Sequence, residues 1–124
     1  MKDKLRILVV DDDPAIAAML ARALGRHGFE VESLHSAAQA LERFAAQACD
    51  AAVLDLVMPE SDGMELAQAL RAQAPGLPIA ILTGYVNSPL LAEAQRPGLA
   101  VFKKPIAVPD VIAFLTSELG RQSE

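Results

Sequence analysis

Residues 51–56 read AAVLDL, apolar side chains on successive positions broken only by the carboxylate of Asp55. Consecutive apolar positions are how a strand reads when both faces of its sheet are covered. Such a strand belongs inside a parallel sheet between two helical layers. The same stretch poses a chemical question, because a carboxylate at the end of a buried run has little water around it.

Four other short apolar runs lie on either side: Leu5–Val10, Val31–Leu34, Ile79–Leu82 and Leu99–Phe102. Between them the apolar residues recur at helical spacing. Ile16, Met19, Leu20, Ala23 and Leu24 form one stripe, and Ala37, Ala40, Leu41, Phe44 and Ala45 a second. Leu66, Ala67, Leu70 and Ala74 form a third, and Val111, Ile112, Leu115 and Leu119 a fourth. Asp13-Pro14 is an N-cap followed by proline at the first helical position. Ser36 with Gln39 reads as a capping box. Gly25 and Gly28 are expected to end the first helix and Gly120 the last, while Asp62-Gly63 and Pro75-Gly76 mark turns. The segment from Val86 to Gly98 has room for one short helix, starting near Pro89. Strand and helix thus alternate about five times, which predicts an α/β fold: a doubly wound, five-stranded parallel sheet with helices on both faces, flavodoxin-like in its winding.

Composition narrows the function. At 124 residues the chain is expected to be a single domain, and its 52% apolar content suffices for one core. A net charge of −5 argues against direct binding to nucleic acid or to anionic lipid. No apolar run is long enough to span a bilayer. The start, MKDKLRILVV, lacks the pattern of a secretory signal, so a cytoplasmic location is expected. Cys49 is the sole cysteine, which excludes an internal disulfide; it reads as a small, partly buried hydrophobe. His27 and His35 read as ordinary surface or loop residues.

In doubly wound folds the working site lies beyond the carboxyl ends of the strands. Those ends carry Asp11-Asp12-Asp13, Asp55, Thr83 and Lys103-Lys104. Capping accounts for Asp13 but leaves Asp11 and Asp12 without a structural reason. Several carboxylates close together repel unless a hard cation is present, and Mg²⁺ takes oxygen ligands. A carboxylate is also a competent phosphoryl acceptor, and an ammonium with a hydroxyl can hold the remaining phosphate oxygens. The set suits phosphoryl transfer, which needs mostly positioning and charge neutralisation.

In that order and at those separations, VVDDDP, VLDLVMPESDG, ILTG and KKP closely resemble the receiver domain of bacterial response regulators, the CheY-like fold, over essentially the whole chain. The resemblance implies a single receiver domain over residues 1–124, serving as the phosphoacceptor of a two-component signalling system. Asp55 would take the phosphoryl group from the phosphohistidine of a sensor histidine kinase or phosphotransfer protein. Asp11 and Asp12 would hold Mg²⁺ together with Asp55 and the backbone carbonyl of Val57. Thr83 and Lys104 would bind the phosphoryl oxygens. Lys104 is preferred to Lys103 because it directly precedes Pro105, and the Lys104–Pro105 bond is expected to be cis. Such a protein catalyses only its own phosphorylation and dephosphorylation. It signals to an unidentified downstream protein or domain, through the face of its fourth helix, fifth strand and fifth helix.

The chain departs from the family pattern in two places. Val101 stands where a switch aromatic is usual, and Phe102, one position on, should face the other side of the sheet. Gly84 follows Thr83 in place of alanine, with Tyr85 after it. Three rival readings are weaker. A haloacid-dehalogenase-like phosphatase needs a second Asp two residues after the nucleophile, where this chain has Val57. A degenerate receiver would have lost an acidic residue, the threonine or the lysine. A dinucleotide-binding domain needs a G-x-G-x-x-G after the first strand.

Overall fold

The computed structural model describes residues 5–58, 61–84 and 98–123. Strand β1 (Arg6–Val10) leads to helix α1 (Pro14–Arg26), β2 (Glu30–Leu34), α2 (Ala37–Ala46) and β3 (Ala51–Asp55). Two two-residue strands follow, β4 (Val57–Met58) and β5 (Ser61–Asp62), paired with each other antiparallel. Then come α3 (Gly63–Gln73), β6 (Ile79–Thr83), β7 (Leu99–Lys103) and α4 (Val108–Ser123). The expected short helix after Val86 lies outside the described residues, as does Tyr85.

The main sheet has five strands in the order β2-β1-β3-β6-β7, every neighbouring pair parallel. The chain winds one way from β1 to β2 and the other way from β3 onward. The point where the direction changes lies between β1 and β3, which is where doubly wound sheets open a crevice for ligands. Both faces are apolar, as the AAVLDL stretch requires. Leu8, Val10, Ala52, Leu54, Ile79 and Ile81 pack towards α2 and α3. Their alternates Ile7, Val9, Ala51, Val53, Ala80 and Leu82 pack towards α1 and α4. Val101 falls on the first face and Phe102 on the second, as strand alternation demands.

Local signals hold at the helix starts. The Asp13 side chain accepts a hydrogen bond from Ala15 N at 3.0 Å, and Pro14 opens α1. Ser36 Oγ accepts from Gln39 N at 3.1 Å. The return half of that capping box differs from expectation: Gln39 Oε1 accepts from His35 N at 3.0 Å, one residue before the cap. Three further expectations are corrected. The buried stripe of α1 is Ala17, Leu20 and Leu24, while Met19 is 42% exposed. Ala45 is exposed at the end of α2. Gly120 does not stop the last helix, which runs on to Ser123. A fourth concerns Asp62-Gly63, which forms no separate turn: Asp62 ends β5 and Gly63 is already the first residue of α3. At the sheet edge, Glu32 pairs with Arg6 at 3.1 Å and Arg43 at 2.6 Å, fastening β2 to both β1 and α2.

Candidate functional site

β1 delivers Asp11 to the crevice. Its backbone N–H donates to Leu34 O at 3.1 Å, and its Oδ1 accepts from Asp13 N at 2.9 Å. Asp13 itself is turned back to cap α1. Within the acidic triplet, then, Asp13 serves the helix, and Asp11 and Asp12 face the neighbouring strand end. Asp11 is 1% exposed, and its Oδ2 is buried with no hydrogen-bond partner among the described residues. Such an orphan costs roughly 1–3 kcal/mol, more for a charged group, so it calls for an occupant.

β3 delivers Asp55, 4% exposed. Carboxylate oxygens of Asp11, Asp12 and Asp55 lie within 4.8 Å of one another. Asp11 and Asp55 are buried and Asp12 is exposed. The counter-charge comes from beyond β7: Lys104 Nζ lies 3.1 Å from Asp55 Oδ1. The strand end that carries it is closed by Lys104 N donating to Thr83 O at 2.7 Å, and Lys104–Pro105 is cis. Thr83 ends β6 beside Asp55 and is buried. The structure therefore brings Asp11, Asp12, Asp55, Thr83 and Lys104 to one end of the sheet. Val57 lies at the rim, two residues beyond Asp55, with its side chain 51% exposed.

The electrostatics are unbalanced. Among the described residues, the Lys104 ammonium faces the three carboxylates of Asp11, Asp12 and Asp55. Burial pushes the Asp55 carboxyl above its ordinary value, and the Lys104 hydrogen bond only opposes this. Asp11 is likewise pushed up by burial, against the pull of the Asp13 N–H. Excess negative charge, an all-oxygen donor set and an orphaned buried oxygen fit a hard divalent cation. The residues present can hold such an ion and an incoming anion that the lysine would share.

One residue of the site was missed in the sequence. Gly63 packs directly against the end of β3: a Cβ placed there would collide with the backbone oxygen of Asp55 and come within 3.0 Å of Leu56 Cα. Its N–H donates to Leu56 O at 2.7 Å. The sole sequence signal was the Asp62-Gly63 pair, which reads as a turn. His27 and His35 are exposed, as expected, although His35 follows Leu34 at the same end of the sheet as Asp11. Cys49 is buried, and burial pushes its thiol up to about 11, far from a reactive thiolate.

Comparison with known proteins agrees with this fold. The profile described as "Response regulator receiver domain" matches residues 7–116. The chain is 38% identical over 118 residues to "Response regulator MprA" of Mycobacterium ulcerans (strain Agy99), covering 94% of this chain and 51% of that protein. The protein of the same name from Mycobacterium avium (strain 104) is 37% identical, with 94% and 52% covered. The chain thus spans about half the length of these relatives. Among solved structures, a CheY-like receiver domain protein from Methanospirillum hungatei JF-1 superposes with a TM-score of 0.89 at 28% identity, covering 98% of each chain. A sensor protein from Polaromonas sp. JS666 superposes at 0.83 with 33% identity, covering 94% of this chain and 97% of the other.

Proposed function

The chain belongs to the response regulator receiver domain family, and from that premise we propose that Asp55 is its phosphoacceptor. The observation that carries the reading is the pairing of Asp55 with Lys104 inside an acidic cluster whose Asp11 Oδ2 has no partner among the described residues. Asp11, Asp12 and Asp55 would hold Mg²⁺, with the backbone carbonyl of Val57 as a further ligand, and a cation there would supply charge neutralisation for the transferring phosphoryl group.

The chain's own residues do the rest. A carboxylate oxygen of Asp55 attacks phosphorus as the P–N bond to the donor imidazole breaks. The electron pair of that bond leaves with the nitrogen. The Lys104 ammonium, already against Asp55 Oδ1, holds the carboxylate for attack and then shares a phosphoryl oxygen. The Thr83 hydroxyl holds another. No acid stands two residues after Asp55 to turn the acyl phosphate over as a phosphatase does, since that position is Val57. Val57 also offers no hydrogen bond to orient a water, so the chain's autodephosphorylation is slow.

The donor is a sensor histidine kinase or phosphotransfer protein and the reader is a downstream output protein or domain. The working compartment is the cytoplasm. Residues 1–124 act as one receiver domain and as a switch, with no substrate other than the chain itself. Incubation with a small acyl phosphate should add one phosphoryl mass when Mg²⁺ is present and none when it is chelated. Equal uptake with and without Mg²⁺ would defeat the reading.

A further inference from the structure

The end of β7 has to be held in place for Lys104 to reach Asp55. β7 is the edge strand of the described sheet, so backbone pairing secures it on one side, through β6. The remaining fixation is by side chains. Val101 packs on the α2–α3 side, where it is half-buried. Phe102 points the other way. Its ring meets that of Phe114 on α4 edge to face, with centroids 5.8 Å apart and planes at 65°. Ile106 and Val108 continue the same packing beyond Lys104, against the core formed with Leu82 and Val111. Phe102 and Phe114 thus grip the chain two residues before the lysine. An edge-to-face pair resists sliding and rotation more than aliphatic packing does, because ring edges and faces attract only in particular orientations.

Resting on the reading of Asp55 as phosphoacceptor, we propose that the Phe102–Phe114 ring pair is the positioning element for Lys104. It couples the closure of Lys104 on the Asp55 site to helix α4. The ordinary reading is that two rings at a strand–helix contact fill space. Their place distinguishes them: they sit at an edge-strand terminus whose next residues carry the catalytic ammonium. Val101, on the opposite face, has no ring with which to do the same.

The test compares Phe114→Leu, which keeps apolar bulk but removes the ring, with Phe114→Tyr, which keeps the ring. Each is made with and without Lys104→Ala. Two readouts are used: the rate of phosphate uptake from a small acyl phosphate with Mg²⁺, and the side-chain NMR signal of Lys104 in the metal-free protein. Phe114→Leu should slow uptake roughly three- to tenfold, the rate equivalent of the coupling an aromatic pair carries. It should also move the Lys104 signal towards that of a free lysine. Phe114→Tyr should preserve both. In the Lys104→Ala background Phe114→Leu should add nothing, and Mg²⁺ affinity should be the same in all the ring variants. A Lys104 signal unmoved by Phe114→Leu overturns the inference whatever the uptake assay gives. So does a slowing of equal size with and without Lys104. Failure of the wild type to take up phosphate, with the Lys104 signal still responding to the ring, would instead defeat the phosphoacceptor reading and leave the positioning role standing.

Discussion

Gly63→Ala is expected to destabilise the chain by about 2 kcal/mol and to slow phosphate uptake at Asp55. On conformational grounds the change would help, because Gly63 does not have a positive φ, and such a Gly→Ala step adds ~0.4–1 kcal/mol. Space decides against it. The added methyl meets the carbonyl group of Asp55 and Leu56 Cα, all of it backbone. Backbone in a buried strand end cannot swing aside as a side chain tip can, and overpacking of this kind costs roughly 1–3 kcal/mol or more. The relief available is to push α3 away from β3, which shifts the residue that carries the reactive carboxylate. Gly120→Ala is the control: nothing lies within 4 Å of its Cβ position, and it is inside α4. That change should stabilise by about 0.5–1 kcal/mol. Urea denaturation of the three proteins measures this, and a Gly63→Ala midpoint equal to wild type would show that the close approach carries no weight.

The second large effect is expected at Asp11. Asp11→Asn should make the metal-free protein more stable at neutral pH and abolish its stabilisation by Mg²⁺. Burial holds the Asp11 carboxyl above its ordinary value of 3.8 in the fold. Between the unfolded and the folded value, the native state keeps its proton while the unfolded state has lost it. Stability attributable to this group therefore falls as pH rises through that window. Glu32 works in the opposite sense, its carboxyl held down first by the hydrogen bond from Arg43, so raw pH curves mix the two. The difference between wild type and variant removes Glu32 and leaves Asp11 together with the part of Asp55 that its charge pushes up. That difference should be small at the acid end and favour the variant at neutral pH. Mg²⁺ at about 100 times its dissociation constant should return ~2.7 kcal/mol to the wild type and close to nothing to Asp11→Asn. A variant that is weaker at neutral pH and still answers to Mg²⁺ would place the ion elsewhere.

Much of this site was legible in the chain itself. Consecutive apolar positions announced a doubly covered sheet, and the polar residues standing at its strand ends were the ones the fold gathers: Asp11, Asp12, Asp55, Thr83 and Lys104. Capping at Asp13 separated the helix's share of the acidic triplet from the site's share, a local distinction that sequence carries well. Contacts set by tertiary packing were not legible. In α1, PAIAAMLARALGR offers two overlapping apolar stripes, and the sheet takes the one with Ala17, whose small side chain permits close approach, leaving Met19 outside. Gly120 lies in a helix whose other face is anchored by Leu115 and Leu119, so packing overrides its poor propensity. Gly63 looked like turn chemistry because the backbone it must avoid belongs to a strand elsewhere in the chain. The side that Phe102 takes was legible, because it stands one position past Val101 and strand alternation sends its ring to the α1–α4 side of the sheet; its partner Phe114 was not.

The central claim is that Asp55 carries the phosphate, and borohydride trapping tests it most directly. The chain is loaded with a small acyl phosphate and Mg²⁺, then reduced. Hydride attacks the acyl carbonyl and phosphate leaves; a second hydride and a proton from water then take the resulting aldehyde to an alcohol. Peptide sequencing by mass spectrometry then reads the position. The account predicts homoserine at position 55 and nowhere else, with no product from Asp55→Asn. Homoserine at position 11 or 12, or an undiminished yield from Asp55→Asn, would contradict it.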